Sequence, residues 1–161
     1  MLTLRTAGDG DFPAIWEIFK LVIAAGDTYV YPAQTTRAQA RRIWTAPPAA
    51  AFVADMEGKI VGTYTLKPNQ PGHGDHVANC AYMTHPDARG RGVGTALCEH
   101  SLRTARERGY TAMQFNFVVA SNSGAIRLWE KHGFGVVGRV PGAFRHPRDG
   151  PTDALIMHRV L

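Results

Sequence analysis

The sequence predicts an α/β fold of the α+β kind, with a mixed, largely antiparallel central sheet flanked by helices. Three observations predict it. Short apolar runs of strand length alternate with amphipathic helical stretches along the chain. Two of those runs, 50–55 and 60–66, are joined by a tight Glu57-Gly58-Lys59 turn and read as a hairpin. A glycine-rich turn, Pro86 to Thr95, lies between an apolar strand and the start of a long helix.

Taken in order, Leu2 to Arg5 alternates and reads as a first strand. Asp9 and Asp11 are candidate N-caps for a helix from Phe12 to about Ala25, with Pro13 tolerated in its first turn and Gly26 as its stop. Ile15, Ile18, Phe19 and Val22 supply its apolar face. A loop from Asp27 to Pro32 precedes a second helix, capped near Thr35 or Thr36 and carrying Ala38, Ile43 and Trp44. The hairpin follows, then a Pro/Gly-rich loop, then a strand over 77–83. The long helix runs from Val93 to about Arg108, closed by arginines and Gly109. A strand over 111–119, a helix over 123–132 stopped by Gly133, a strand-like run over 134–140, a turn-rich loop over 141–151 and a last strand over 154–160 complete the chain.

The composition narrows the class. One domain over residues 1–161 is expected, long enough to bury roughly two-thirds of its unfolded surface. Hydrophobic residues make up 45% and charged residues 19%, the balance of an ordinary globular protein. No apolar run has the ~20 residues of a membrane span, and no signal-peptide pattern opens the chain, so a cytoplasmic location is expected. Net charge is +5, yet the basic residues form no single run; they cluster at 37–42, 89–91, 103–108 and 139–148, and no nucleic-acid partner is expected. Cys80 and Cys98 read as small buried hydrophobes. The seven histidines lack metal-ligand spacing, so no metal is expected.

The glycine-rich turn makes an anion site. The first amides of a helix have no internal partner, and the helix dipole places partial positive charge there. Gly90, Gly92 and Gly94 let the backbone approach a bulky anion, and Arg89 and Arg91 add charge. The dinucleotide fingerprint lacks its third glycine, and the ATP-type loop lacks Gly-Lys-Ser/Thr. The spacing Arg/Gln-x-x-Gly-x-Gly/Ala, here Arg89-Gly90-Arg91-Gly92-Val93-Gly94, resembles the acetyl-coenzyme A pyrophosphate loop of the GNAT superfamily of N-acetyltransferases. Asn122-Ser123-Gly124-Ala125-Ile126-Arg127-Leu128-Trp129-Glu130-Lys131-His132-Gly133-Phe134 is similar to that superfamily's second signature. With both motifs in order, a strand apart, the chain is identified as a member.

The resemblance implies the acyl-CoA N-acyltransferase fold, with the element order already read, and acetyl-CoA as co-substrate. It implies that the backbone amides of Arg89, Gly90, Arg91, Gly92, Val93, Gly94 and Thr95 clasp the pyrophosphate. The pantetheine arm would pair with the backbone of Tyr82, Met83 and Thr84, and the Asn122 amide would bond the donor while also serving as a helix cap. The loop after the first helix would close over the acceptor, so Asp27, Tyr29 and Tyr31 are either acceptor contacts or ordinary loop packing. Homodimers are common in the superfamily.

Two positions depart from the pattern. Trp129 stands where relatives commonly have a tyrosine that protonates the leaving sulfur, and an indole is no useful acid. Asn79 stands on the strand where many relatives keep a glutamate base. Asn79 and Asn116, with Asn122, are similar in spacing to asparagines of fungal acetyltransferases acting on azetidine-2-carboxylate and other proline analogues. That likeness implies catalytic and acceptor-binding places for Asn79 and Asn116; the alternative is amides that satisfy strand-end backbone. The expected function is transfer of an acetyl group from acetyl-CoA to a small amine or amino acid by direct attack in a ternary complex. A protein or peptide acceptor, and a non-catalytic acyl-CoA sensor, are the alternatives.

Overall fold

In a computed structural model, which describes residues 1–161, the chain runs β1 (Leu2–Thr6), α1 (Phe12–Ala25), α2 (Arg37–Thr45), β2 (Ala50–Met56), β3 (Lys59–Pro68), β4 (Val77–Thr84), α3 (Val93–Glu107), β5 (Ala112–Val119), α4 (Ser123–Lys131), β6 (Gly135–His146) and β7 (Gly150–Val160). All seven strands join one sheet in the order β1-β2-β3-β4-β5-β7-β6. Every neighbouring pair is antiparallel except β4 and β5, so the sheet is mixed and largely antiparallel, as expected.

Strand alternation divides the core between the two faces. On β2, Ala51 and Val53 point to one side, where they meet Phe12, Ile15, Ile18 and Phe19 of α1 and Trp44 of α2. Phe52 and Ala54 point to the other side, with Val93, Leu97 and Leu102 of α3 and Trp129 of α4. Trp44 is wholly buried, and its indole N–H donates to Thr63 Oγ1 at 2.9 Å. The N-cap of α2 is Thr36, whose Oγ1 accepts from the Gln39 amide while Gln39 Oε1 accepts from the Thr36 amide.

Two local expectations change. Asp11 occupies the cap position of α1, but its side chain caps nothing there. Its carboxylate instead accepts two bonds from Arg5, at 2.6 and 2.8 Å, and one from the Gly8 amide at 2.7 Å. The stretch 141–151 is not a loop: β6 continues to His146 and β7 begins at Gly150. Pro141 and Gly142 fall in a register shift between Val140 and Phe144, with Gly142 at φ +58°. Because β6 is an edge strand, the missing proline N–H leaves no ladder bond broken.

The Arg5 hydrogen bonds and charge, with the Gly8 amide, hold the Asp11 carboxyl below its ordinary pKa. A carboxyl lowered on folding adds stability above its unfolded pKa, and that stability is lost as pH falls through the folded one. Asp11→Asn should therefore lower stability at neutral pH by about 1 kcal/mol or less, since Arg5 is partly exposed. Thermal melts of both proteins, taken from neutrality to below the carboxylate range, should show the gap closing at the acid end.

Candidate active site

The ladder between β4 and β5 ends almost as soon as it begins. Val77 pairs with Ala112 and Ala78 with Met113, and then the strands part. On the far side of β5 the register with β7 shifts between Phe115 and Val118, which bends β5 at Asn116 and Phe117. Between the parted strands lies a cleft of about 690 Å3.

Strand geometry decides which backbone groups face that gap. The His85 amide donates to the Val61 carbonyl at 2.8 Å, and Met83 pairs with Thr63, so these alternate residues belong to β3. Tyr82 points the other way. Its N–H donates to the Tyr29 hydroxyl at 2.9 Å, and that hydroxyl donates to the Tyr82 carbonyl at 2.6 Å. Thr84, two residues on, shares that edge. The Met83 backbone, expected to hold the donor, is turned toward β3 and cannot pair across the gap.

At the glycine-rich turn, two of the expected amides are already engaged. Arg89 donates to the Pro86 carbonyl at 3.2 Å and Arg91 to the Ala88 carbonyl at 3.4 Å. The amides of Gly90, Gly92, Val93, Gly94 and Thr95 make no hydrogen bond within the protein; helical bonding starts with Ala96 N–H to Gly92 C=O at 3.0 Å. Gly92 caps α3 at φ +78°, and a Cβ built there would meet nothing within 4 Å. Gly94 has a different reason, for its Cβ would press on Leu128 of α4 at 3.3 Å. Arg89 and Gly90 line the cleft, and the remaining turn residues continue beyond its rim. Neither Arg89 nor Arg91 enters an ion pair, so both guanidinium groups are available.

The three asparagines are brought to the cleft, each with a structural partner. Asn79 donates to the Gln114 carbonyl at 3.0 Å, tying β4 to β5 one residue past the last ladder pair. Asn116 donates to Asn69 Oδ1 at 2.7 Å and accepts from Gln114 Nε2 at 3.0 Å. Asn122 caps α4, its Oδ1 accepting from the Ala125 amide at 3.4 Å, which leaves its N–H groups free. Asp27, Tyr29 and Tyr31 also line the cleft, and Asp27 is the one carboxylate among the lining residues.

An aromatic wall went unread in the sequence. Trp129 is buried, with its ring 4.8 Å from both Tyr82 and Phe115, and Phe117 adds a partly exposed edge. Phe115 and Phe117 carry only the alternation of a strand, and nothing in that pattern marks a cavity. The phenols around the gap hold their protons: burial pushes Tyr29, Tyr31 and Tyr82 above their ordinary values. Burial also pushes the Cys80 and Cys98 thiols up to about 12, which makes them inert as nucleophiles. No group of three or more His, Cys, Asp or Glu side chains gathers as a metal site, and no helix is long and apolar enough to cross a membrane.

A helix N-terminus with free amides, opening beside a cleft between two parted strands, is a site for a phosphorylated, extended ligand. Comparison with known proteins says which kind. The sequence profile of the acetyltransferase (GNAT) family matches residues 15–134, and the chain belongs to that family. The fold is similar to that of a GCN5-related N-acetyltransferase from Kribbella flavida, with a TM-score of 0.95 and 43% identity over 99% of this chain and 98% of that one. The N-acetyltransferase aca1 of Schizosaccharomyces pombe is 34% identical over 112 residues, 69% of this chain and 54% of that protein. The L-amino acid N-acetyltransferase AaaT of Escherichia coli is 27% identical over 99% of this chain and 98% of its own length. The chain thus spans about half the length of the yeast relative.

Because Asn79 ties the two strands at the point where they part, Asn79→Ala should disturb both halves of the cleft. The Michaelis constants for acyl donor and acceptor are expected to rise together, with a stability loss of about 1 kcal/mol from the missing bond. Steady-state kinetics and a denaturant titration measure both; an effect confined to the acceptor would instead assign Asn79 to acceptor contact.

Proposed function

We propose that the protein moves an acetyl group from acetyl-CoA to the amine of a small molecule, with an amino acid as the acceptor class. The observation that carries this reading is the set of unpaired amides from Gly92 to Thr95, at the start of α3 and beside the parted strands. These residues fit the donor. Free N–H groups and the helix dipole suit a pyrophosphate, the two arginines add charge, and Thr84 presents an edge that a peptide-like arm can extend along. Asn122, with its N–H groups free, lies on the opposite wall.

Acetyl-CoA, when bound, supplies an activated acyl group on a thiol leaving group. The chain's own residues do the rest. The Gly92–Thr95 amides and the arginines fix one end of the donor, which places the reacting end near Tyr82. The Tyr82 N–H lies on the strand edge that faces the gap and is suited to an oxygen on which charge develops, once that oxygen replaces the Tyr29 hydroxyl to which it donates. Asp27 attracts an ammonium group to the cleft and is the carboxylate through which its proton leaves, directly or over a water. Trp129, whose indole cannot give up a proton near neutrality, packs the wall and leaves the thiolate to depart unaided.

A peptide acceptor is the second reading. Two measurements test the primary reading. Gly92→Val places a side chain in the open space over the free amides, at a backbone strain of about 1–2 kcal/mol. It should weaken acetyl-CoA binding in calorimetry by roughly tenfold or more while the circular dichroism spectrum is kept; unchanged affinity removes the turn from the donor site. Asp27→Asn should lower kcat/KM for amines by about a hundredfold or more while donor affinity is kept. Equal turnover would show that the acceptor is deprotonated elsewhere.

A further inference from the structure

Beside the main cleft lies a smaller recess of about 200 Å3, lined by nine residues, none of them hydrophobic. Asp27, Thr28, Asn122 and Gly124 line both spaces, so the recess is an annex of the cleft. Its far wall comes from the β6–β7 turn: His146, Arg148 and Asp149. His146 is only 6% exposed, a polar ring held in place at the end of an edge strand.

The ring's orientation is set by its own turn. His146 Nδ1 accepts from the amides of Arg148 and Asp149, each at 3.2 Å. With that nitrogen occupied as an acceptor, the ring N–H falls on Nε2, which has no partner in the protein. No buried side-chain polar atom is left unpaired, so Nε2 is not sealed away, and the ring that carries it lines the annex. The Asp149 carboxylate lies on the Nδ1 side of the ring, 3.4 Å away. From the opposite wall comes α4, whose Gly124 amide also makes no bond within the protein. Arg148 is exposed and enters no ion pair. The annex therefore gathers a buried imidazole N–H, a free helix-start amide and an unpaired guanidinium, with Asp27 at its junction with the cleft.

We propose that this annex holds the carboxylate of a free α-amino acid acceptor, its oxygens accepting from His146 Nε2–H and the Gly124 amide and attracted by Arg148. Asp27 then faces the ammonium group at the junction, so the amine is presented to the cleft and the carboxylate is kept out of it. The proposal rests on the acetyl-transfer reading and narrows its acceptor to a free amino acid rather than a peptide, because a peptide's first residue offers an amide where the annex expects a carboxylate.

The test compares alanine, proline and methionine with their carboxamides as acceptors of the wild-type protein, using acetyl-CoA. In the wild type, each carboxamide should raise the acceptor KM roughly ten- to hundredfold over its acid, the value of a lost charge-assisted pair. His146→Asn keeps an acceptor near the Nδ1 position for the turn amides and removes the Nε2 donor. In that variant the acid should lose its advantage, while the KM for acetyl-CoA and the carboxamide rates stay near wild type. If acids and carboxamides are equal in an active wild type, acetyl transfer stands and the carboxylate site falls, whatever the variant does. If acetyl-CoA binds but none of these amines is acetylated, the acetyl-transfer reading and this proposal fall together.

Discussion

Everything at the site depends on the early parting of β4 from β5. A parallel pair that stopped after two rungs would ordinarily leave costly orphans, since an unpaired buried backbone group costs about 1–3 kcal/mol. Three features hold the strands apart and make the parting stable. Asn79 bonds the Gln114 carbonyl at the apex, so the last shared position is pinned. The register shift at Asn116 and Phe117 turns β5 toward β7. Beneath the gap, Tyr82, Phe115, Trp129 and Phe134 stack in a continuous aromatic pile, with Phe115 and Phe134 centred 4.4 Å apart. Those rings are too bulky to let the strands close. The cleft is thus built by side-chain volume on one face of the sheet and by backbone geometry on its edge.

Charge follows the same division of labour. The positive features beside the cleft lie together: the free amides at the start of α3, with Arg89 and Arg91 beside them. The one acid of the cleft, Asp27, sits on the opposing loop. An anionic donor and a cationic acceptor would therefore approach from opposite walls, each drawn by a local charge of the other sign. Between them the groups are neutral. Buried phenols keep their protons, buried thiols keep theirs, and the indole of Trp129 has none to give at ordinary pH. Apart from Asp27, such a site offers placement and fixed hydrogen-bond donors rather than groups that exchange protons near neutrality.

Much of this was legible in the sequence, and the parts that were not share a cause. Helix boundaries were readable because Gly26, Thr36 and Gly133 carry local conformational meaning. The glycine-rich turn was readable because its chemistry lies in consecutive residues. Backbone direction was not: whether Tyr82 or Met83 faces the gap depends on the pairing of β4 with β3, a long-range register that neither residue encodes. The amides of Arg89 and Arg91, expected to be free, are tied to the preceding turn by local i→i−3 bonds, because a run of short turns leads into α3 where the glycine spacing suggests an open loop. The continuation of β6 through Pro141 and Gly142 was masked by residues that usually break strands and here sit at an edge bulge. With that stretch read as loop, His146 had no visible role, because its burial follows from the strand that carries it.

The Tyr29 hydroxyl joins these threads. The Tyr82 N–H and carbonyl, turned away from β3, need partners, and one phenol on the far loop satisfies both, at 2.9 and 2.6 Å. Tyr31 stacks on Tyr29 at 6.0 Å and packs on Phe19 of α1 at 5.4 Å, so the phenol is presented by a loop anchored to the helical core. Asp27 lies two residues earlier on the same loop. A ligand group that takes over the Tyr82 edge must match both hydrogen bonds or displace the hydroxyl. The strand edge that faces the gap and the loop that bears the cleft's only carboxylate thus meet through the Tyr29 phenol, a side chain held from behind by the aromatic packing of α1.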